Sequence, residues 1–219
     1  MNKSIKLISQ ITFASLLLGC AIHVDAHGKS GNIDSVFGGI DIDSGSEVGD
    51  LSSVNGGIDI EDDVQAGDVE TVNGGIEIGD NVQIESAETV NGSIEVGNSV
   101  KVQDNLETVN GSISVKKEGI IGGSIKTING DINITSVTVD KNIRTSNGDI
   151  DLAENSLVKG DIVVKANKGW FSSASEDKPE ITIDNSSSVL GVIHLHRKVV
   201  LNIADGAKIG GIKHHYKRK

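Results

Sequence analysis

The chain has 219 residues, a formal net charge of −11, 27 glycines, one proline, one cysteine and only 2 % aromatic residues. That length suffices for one ordinary domain or one mid-sized solenoid. The scarcity of aromatics argues against a conventional globular core, the 37 % hydrophobic fraction against a disordered chain, and the lone cysteine against disulfide stapling.

Residues 1–20 read as an export signal. Lys3 and Lys6 supply a positive start, and residues 5–18 form an apolar stretch interrupted by Ser9, Gln10, Thr12 and Ser15. Such a stretch is too short and polar to span a bilayer comfortably, but suits a secretory signal. Leu17-Leu18-Gly19-Cys20 resembles a bacterial lipobox. The resemblance implies that Cys20 is lipidated as the first mature residue and anchors the chain to a membrane, with residues 21–32 as a tether. Ala21 after it is compatible with outer-membrane sorting. Val24-Asp25-Ala26 offers a competing cleavage site that would release a soluble protein starting at His27. Either route makes the protein exported: an outer-membrane lipoprotein, periplasmic, or at the cell surface.

From residue 33 to 165 one phrase recurs. It reads Val-Asn-Gly-Gly-Ile-Asp-Ile at Val54 and Val-Asn-Gly-Ser-Ile-Glu-Val at Val90, with a degenerate copy, Val-Phe-Gly-Gly-Ile-Asp-Ile, at Val36. Its asparagines are Asn55, Asn73, Asn91, Asn110, Asn129 and Asn147, spaced by 18 or 19 residues. A fixed period of this size marks a stacked repeat architecture. Aliphatics alternate within each copy, as at Ile58 and Ile60 or Ile94 and Val96, and β-branched residues with glycine punctuation favour strands over helix. The prediction is an all-β, single-domain parallel β-solenoid of about 18 residues per turn with three short sides. A single turn buries too few aliphatics to offset the ordering of its backbone, so the turns must stack.

The alignment assigns columns. Val54, Val72, Val90, Val109 and Ile128 are expected to point inward, and Thr71, Thr89, Thr108, Thr127 and Thr145 to form an outer column. The Asn-Gly pairs are expected to turn a corner through left-handed backbone and to stack as a hydrogen-bonded side-chain ladder. Asp41, Asp59, Glu77, Glu95, Ser114, Asn133 and Asp151 form an outward column, acidic at its start. It reads as a solvated face, without the loop pattern of a calcium site.

After a predicted insertion at 166–180, which holds Trp170 and Phe171, the phrase Ile183-x3-Ser187-x-Val189-x-Gly191-x-Ile193 echoes Leu152-x3-Ser156-x-Val158-x-Gly160-x-Ile162. Solenoid turns are therefore expected again over 181–213, followed by a basic tail at 214–219. His194 and His196 read as outward and solvated, and His214-His215 as part of the tail. Charge is graded: residues 27–115 hold 18 Asp/Glu against two Lys, whereas 180–219 hold three acids against seven Lys/Arg. Lys213, Lys217, Arg218 and Lys219 are the candidate contacts for an anionic partner.

The repeated Thr-Val-Asn-Gly-Ser-Ile-Glu-Val phrase after a signal peptide resembles a bacterial adhesin family of β-strand repeat proteins. Gly160-Asp161-Ile162 and Gly206-Ala207-Lys208-Ile209-Gly210-Gly211 resemble the polymer-forming bactofilins. Both resemblances imply a β-helix, right-handed by analogy, and neither carries catalytic residues onto this chain. No catalytic triad or metal-ligand spacing stands out, and no cofactor is expected. The expected function is a non-enzymatic, adhesin-like binding or envelope-structure role. A self-assembling scaffold is the main alternative, and a polysaccharide-active enzyme a further one. Expected partners are the membrane through the lipid, an anionic envelope polymer, or further copies of the chain; nucleic acid is not among them.

Overall fold

The computed structural model describes residues 24–26 (backbone only), 28–166 and 178–216. Cys20, Trp170, Phe171, Lys217, Arg218 and Lys219 lie outside the described residues. The described chain is all-β, with three parallel sheets coiled into a solenoid of about nine turns and roughly 19 residues per turn. No helix occurs among the described residues.

One turn shows the construction. Ile76–Ile78 lies in the first sheet, Gln83–Ile84 in the second and Ser86–Asn91 in the third. The first and third sheets have ten strands and the second has seven. The second continues toward the N-terminus as single bridges from Gln83 through Gln65 and Glu47 to Lys29. Equivalent residues stack without slippage, as in Ile58, Ile76, Ile94 and Ile113. This register follows from the side-chain period of two, since a slip by one residue would turn each strand's aliphatics to solvent. Ile76, Ile78, Val82, Ile84 and Ala87 of this turn all point inward and are buried.

On the third sheet the structure reverses the expected order of two columns. Thr71, Thr89, Thr108, Thr127 and Thr145 are buried, whereas Val54, Val72, Val90 and Val109 are only half-buried and Ile128 is exposed. Alternation is the cause. Leu51, Val69, Ala87 and Leu106 begin the inward set, so the residue two positions on must also face in, and the valine after it faces out. The buried hydroxyls have work to do there. Thr71, Thr89, Thr108 and Thr127 donate to the carbonyls of Gly56, Gly74, Gly92 and Gly111 at 2.9 to 3.0 Å. Those donations satisfy corner carbonyls that the sheets leave inside.

The Asn-Gly corner is also built differently from expectation. Left-handed backbone occurs not at the six asparagines but at Asp63, Asn81, Ser99, Glu118 and Ser136, between the first and second sheets. In the Asn-Gly pair the glycine serves a close approach. A Cβ on Gly74 would collide with the carbonyl of Gly56, and one on Gly92 with that of Gly74.

Both ends extend past the expected boundaries. Val24–Ala26 pairs with Ile40–Ile42 and Lys29 bridges to Glu47, so part of the stretch expected as a tether belongs to the first turn. After the insertion, Glu180–Ile183 stacks on Ile150–Ala153, which places the solenoid's resumption where the echoed phrase predicts it. The last strand is Ile212–His214, and Tyr216 packs against the core, so the tail read from 214 starts inside the stack. At this C-terminal end the core is uncovered: Leu201, Ile203 and Ile209 are only partly buried, and Ile212 is exposed.

Candidate functional surface

Every turn contributes the same positions to the surface, so the candidate features are columns that run along the rod. The first is the asparagine ladder. Asn73 donates through Nδ2 to Oδ1 of Asn55, Asn91 to Asn73, Asn110 to Asn91, Asn129 to Asn110 and Asn147 to Asn129, all at 2.8 to 3.0 Å. Asn55 closes the N-terminal side on the carbonyl of Val36 at 3.3 Å. All the amide dipoles therefore point one way, and the negative end at Asn147 Oδ1 meets a cation. The guanidinium of Arg197 donates to it at 2.7 Å and to the Ser146 carbonyl at 3.0 Å. In register, Arg197 stacks over Ala166, which stacks over Asn147. The long side chain spans the turn in which alanine interrupts the ladder. Sequence alignment on Asn-Gly could not find this cap, because an insertion separates it from the repeats.

The second feature lies on the outer face of the first sheet. Asp41, Asp59, Glu77 and Glu95 stand in register, followed by Ser114, Asn133 and Asp151. Beside them runs a shallow open groove of about 290 Å³, walled by Glu61 and Asp62 and ending near Lys116. Burial, then the neighbouring Asp41 and Glu61 carboxylates, raise the Asp59 carboxyl above its usual range.

A third column, missed in the sequence although the same alignment contains it, occupies the third sheet three positions ahead of each ladder asparagine. Glu70, Glu88 and Glu107 stack and then meet Lys126 and Arg144. Glu107 forms an ion pair with Lys126. Glu88 is pushed up to about 7, chiefly by burial and then by Glu107 and Glu70, with Lys126 pulling the other way. Next to this column the half-buried valines form an apolar stripe that starts at the exposed Val36 and Phe37 and ends at Ile128.

The C-terminal turns carry a different chemistry. Lys213 lies on the exposed face of the last strand, in register with His194. His194 is not simply solvated: its Nε2 is 3.6 Å from Asp161 Oδ2 and its Nδ1 is 3.0 Å from Nε2 of His215. The His196 and His215 rings stack at 4.3 Å and 9°. His214 contacts Tyr216, Nδ1 to hydroxyl, at 3.2 Å. His194, His196 and His215 thus form one cluster, while His214, in register with the inward Leu195, lies apart from it. Among the described residues no group of three or more side chains converges as metal ligands.

No family model, no curated protein and no solved structure matches the chain.

Proposed function

We propose that the protein is a non-enzymatic, exported rod of the bacterial envelope that presents a repetitive surface for adhesin-like binding. One observation carries this reading: like side chains recur once per turn over several consecutive turns in columns on the outer faces. A surface with a repeat near 4.8 Å suits a partner that also repeats, such as an envelope polymer, because each added turn adds an equivalent contact. Anchoring through a lipid on Cys20 fits the fold, since processing there retains the strand Val24–Ala26 that covers Ile40–Ile42, whereas cleavage after Ala26 removes it.

Deleting residues 74–91 joins Asn73 to Gly92 and removes one whole turn without creating a new junction sequence. Binding of the shortened chain to purified envelope polysaccharide should weaken relative to wild type, and removal of a second turn should weaken it further. Equal binding by all lengths would refute a repetitive contact surface.

A self-assembling scaffold is the second reading, favoured by the uncovered apolar layer at Leu201, Ile203 and Ile212. Unpaired strand edges at that end are a template for pairing. Sizing the soluble protein over a concentration series separates the two: a stable monomer supports the binding rod, and concentration-dependent growth into filaments supports the scaffold.

A further inference from the structure

The histidines of the last two turns are placed by register rather than by chance proximity. His194 and His196 alternate outward from the strand Ile193–Leu195. His215 follows the strand that pairs beneath it, and so stacks under His196. The result is that Nδ1 of His194 and Nε2 of His215 face one another at 3.0 Å. Two imidazole nitrogens sharing one tetrahedral ion, at about 2.0 to 2.1 Å each, would stand about 3.3 Å apart. The observed gap is shorter, so on binding the rings must part slightly and turn both lone pairs toward a common ion, which the exposed His215 ring is free to do.

The far side of His194 has the support that such a site needs. Its Nε2 faces the Asp161 carboxylate, Oδ2 at 3.6 Å. A carboxylate there favours the tautomer with hydrogen on Nε2 and leaves the Nδ1 lone pair pointing at His215. Asp161 is itself held, because its Oδ1 accepts the backbone N–H of Val192 at 2.8 Å. The His194 side chain is only 23 % exposed, so little rotamer freedom is left to lose on binding.

We propose that His194 and His215 form a two-nitrogen binding site for a divalent transition-metal ion of the imidazole-preferring class, Zn²⁺ or Cu²⁺, with Asp161 as the positioning carboxylate. The remaining coordination positions are taken by water. On binding, the metal replaces the proton shared between the two rings, and His215 carries its hydrogen on Nδ1 instead. No electron transfer is involved. The inference is independent of whether the rod binds a polymer, since it rests on two side chains and their support at the C-terminal end.

The test is calorimetric titration of the full chain, free of any polyhistidine tag, with ZnCl₂. The expected result is one equivalent bound with micromolar affinity. His194→Ala and His215→Ala should each weaken binding at least tenfold, and Asp161→Asn about tenfold, a typical effect of losing a supporting carboxylate. A double His23→Ala, His27→Ala variant should bind as wild type does. Circular dichroism of each variant checks that the β-fold persists. With CuCl₂, electron paramagnetic resonance should show hyperfine coupling to two imidazole nitrogens in the wild type. Wild-type binding weaker than about 1 mM, Zn²⁺ uptake unchanged in the His194→Ala, His215→Ala double variant, or a Cu²⁺ spectrum with fewer than two nitrogens would each overturn the proposal.

Discussion

Glu88→Gln should stabilise the protein at alkaline pH and do almost nothing in mild acid. Glu88 stands between Glu70 and Glu107 on adjacent turns, and its Oε2 is buried without a hydrogen-bond partner. Burial first, then those two carboxylates, raise its carboxyl from 4.5 to about 7. A raised carboxylate means that the folded state holds a proton the unfolded state has already lost. Stability therefore falls as pH rises from about 4.5 to about 7, and the penalty is complete above that window. At 1.36 kcal/mol per pH unit the shift corresponds to about 3 kcal/mol, and solvent screening of a half-exposed group reduces this to about 1 to 2 kcal/mol. Glutamine keeps the shape, adds a donor and removes the charge. Urea unfolding followed by the β circular-dichroism signal, at pH 5 and pH 8, reads the effect without the screening that guanidinium salt would impose. The expected gain is about 1 to 2 kcal/mol at pH 8 and under about 0.5 kcal/mol at pH 5. Equal gains at both pH values, or a loss at pH 8, would show that Glu88 carries no charge penalty.

Three further outcomes follow from the stack and its ends. Ile94→Ala, in a fully enclosed layer, should cost about 2 to 5 kcal/mol, and Ile209→Ala, in the uncovered C-terminal layer, clearly less; equal losses in urea midpoint would contradict a quasi-one-dimensional core. Cys20→Ala should move the protein from the membrane to the soluble fraction, and mass spectrometry finding a mature N-terminus at His27 in the wild type would rule the lipid anchor out. Lys213→Glu combined with removal of residues 217–219 should abolish the salt-sensitive part of surface binding or self-association between 0.1 and 1 M NaCl, where the Debye length drops from about 10 to about 3 Å; binding that persists unchanged would leave the charge gradient a solubility device. The chain is kept through residue 216 because the strand Ile212–His214 and Tyr216 are part of the stack.

The repeat period and the Ile58/Ile60 type of alternation were enough to reach the solenoid, because one register repeated many times makes each column visible in the chain itself. What the sequence hid was direction within the third sheet. Both Thr71 and Val72 are β-branched, and apolarity alone sends the valine inward. Only the need of the Gly56 carbonyl for a donor, a contact 15 residues away, makes threonine the better core residue. The asparagine ladder was legible, since stacking follows from spacing, but its Arg197 cap was not, because the insertion breaks the count between Asn147 and Arg197. The His194–His215 pairing was obscured because the last turn shifts its spacing, 20 residues at Ile183↔Ile203 and Val189↔Ile209 but 19 at Ile193↔Ile212.

The two ends of the rod differ in a way that ties processing to assembly. At the N-terminal end the strand Val24–Ala26 covers Ile40–Ile42, and Cys20 lies four residues before it. A lipid on Cys20 would hold that covered end at the membrane and project the opposite, basic end about 40 Å away, at about 4.8 Å per turn. With that end held at the membrane, contact between copies is left to the C-terminal layer, with its unpaired edges and exposed Ile212, and such contact would close a pair rather than propagate. Cleavage after Ala26 strips the covering strand, leaves the first sheet open at Ile40–Ile42, and gives the rod an acidic open end to complement its basic one. Head-to-tail contacts between unlike ends do not close on themselves and so generate filaments. If the chain is exported as proposed, the choice of cleavage site would select between an anchored rod and a free, polymerising one, and the mature N-terminus and the concentration dependence of size should change together.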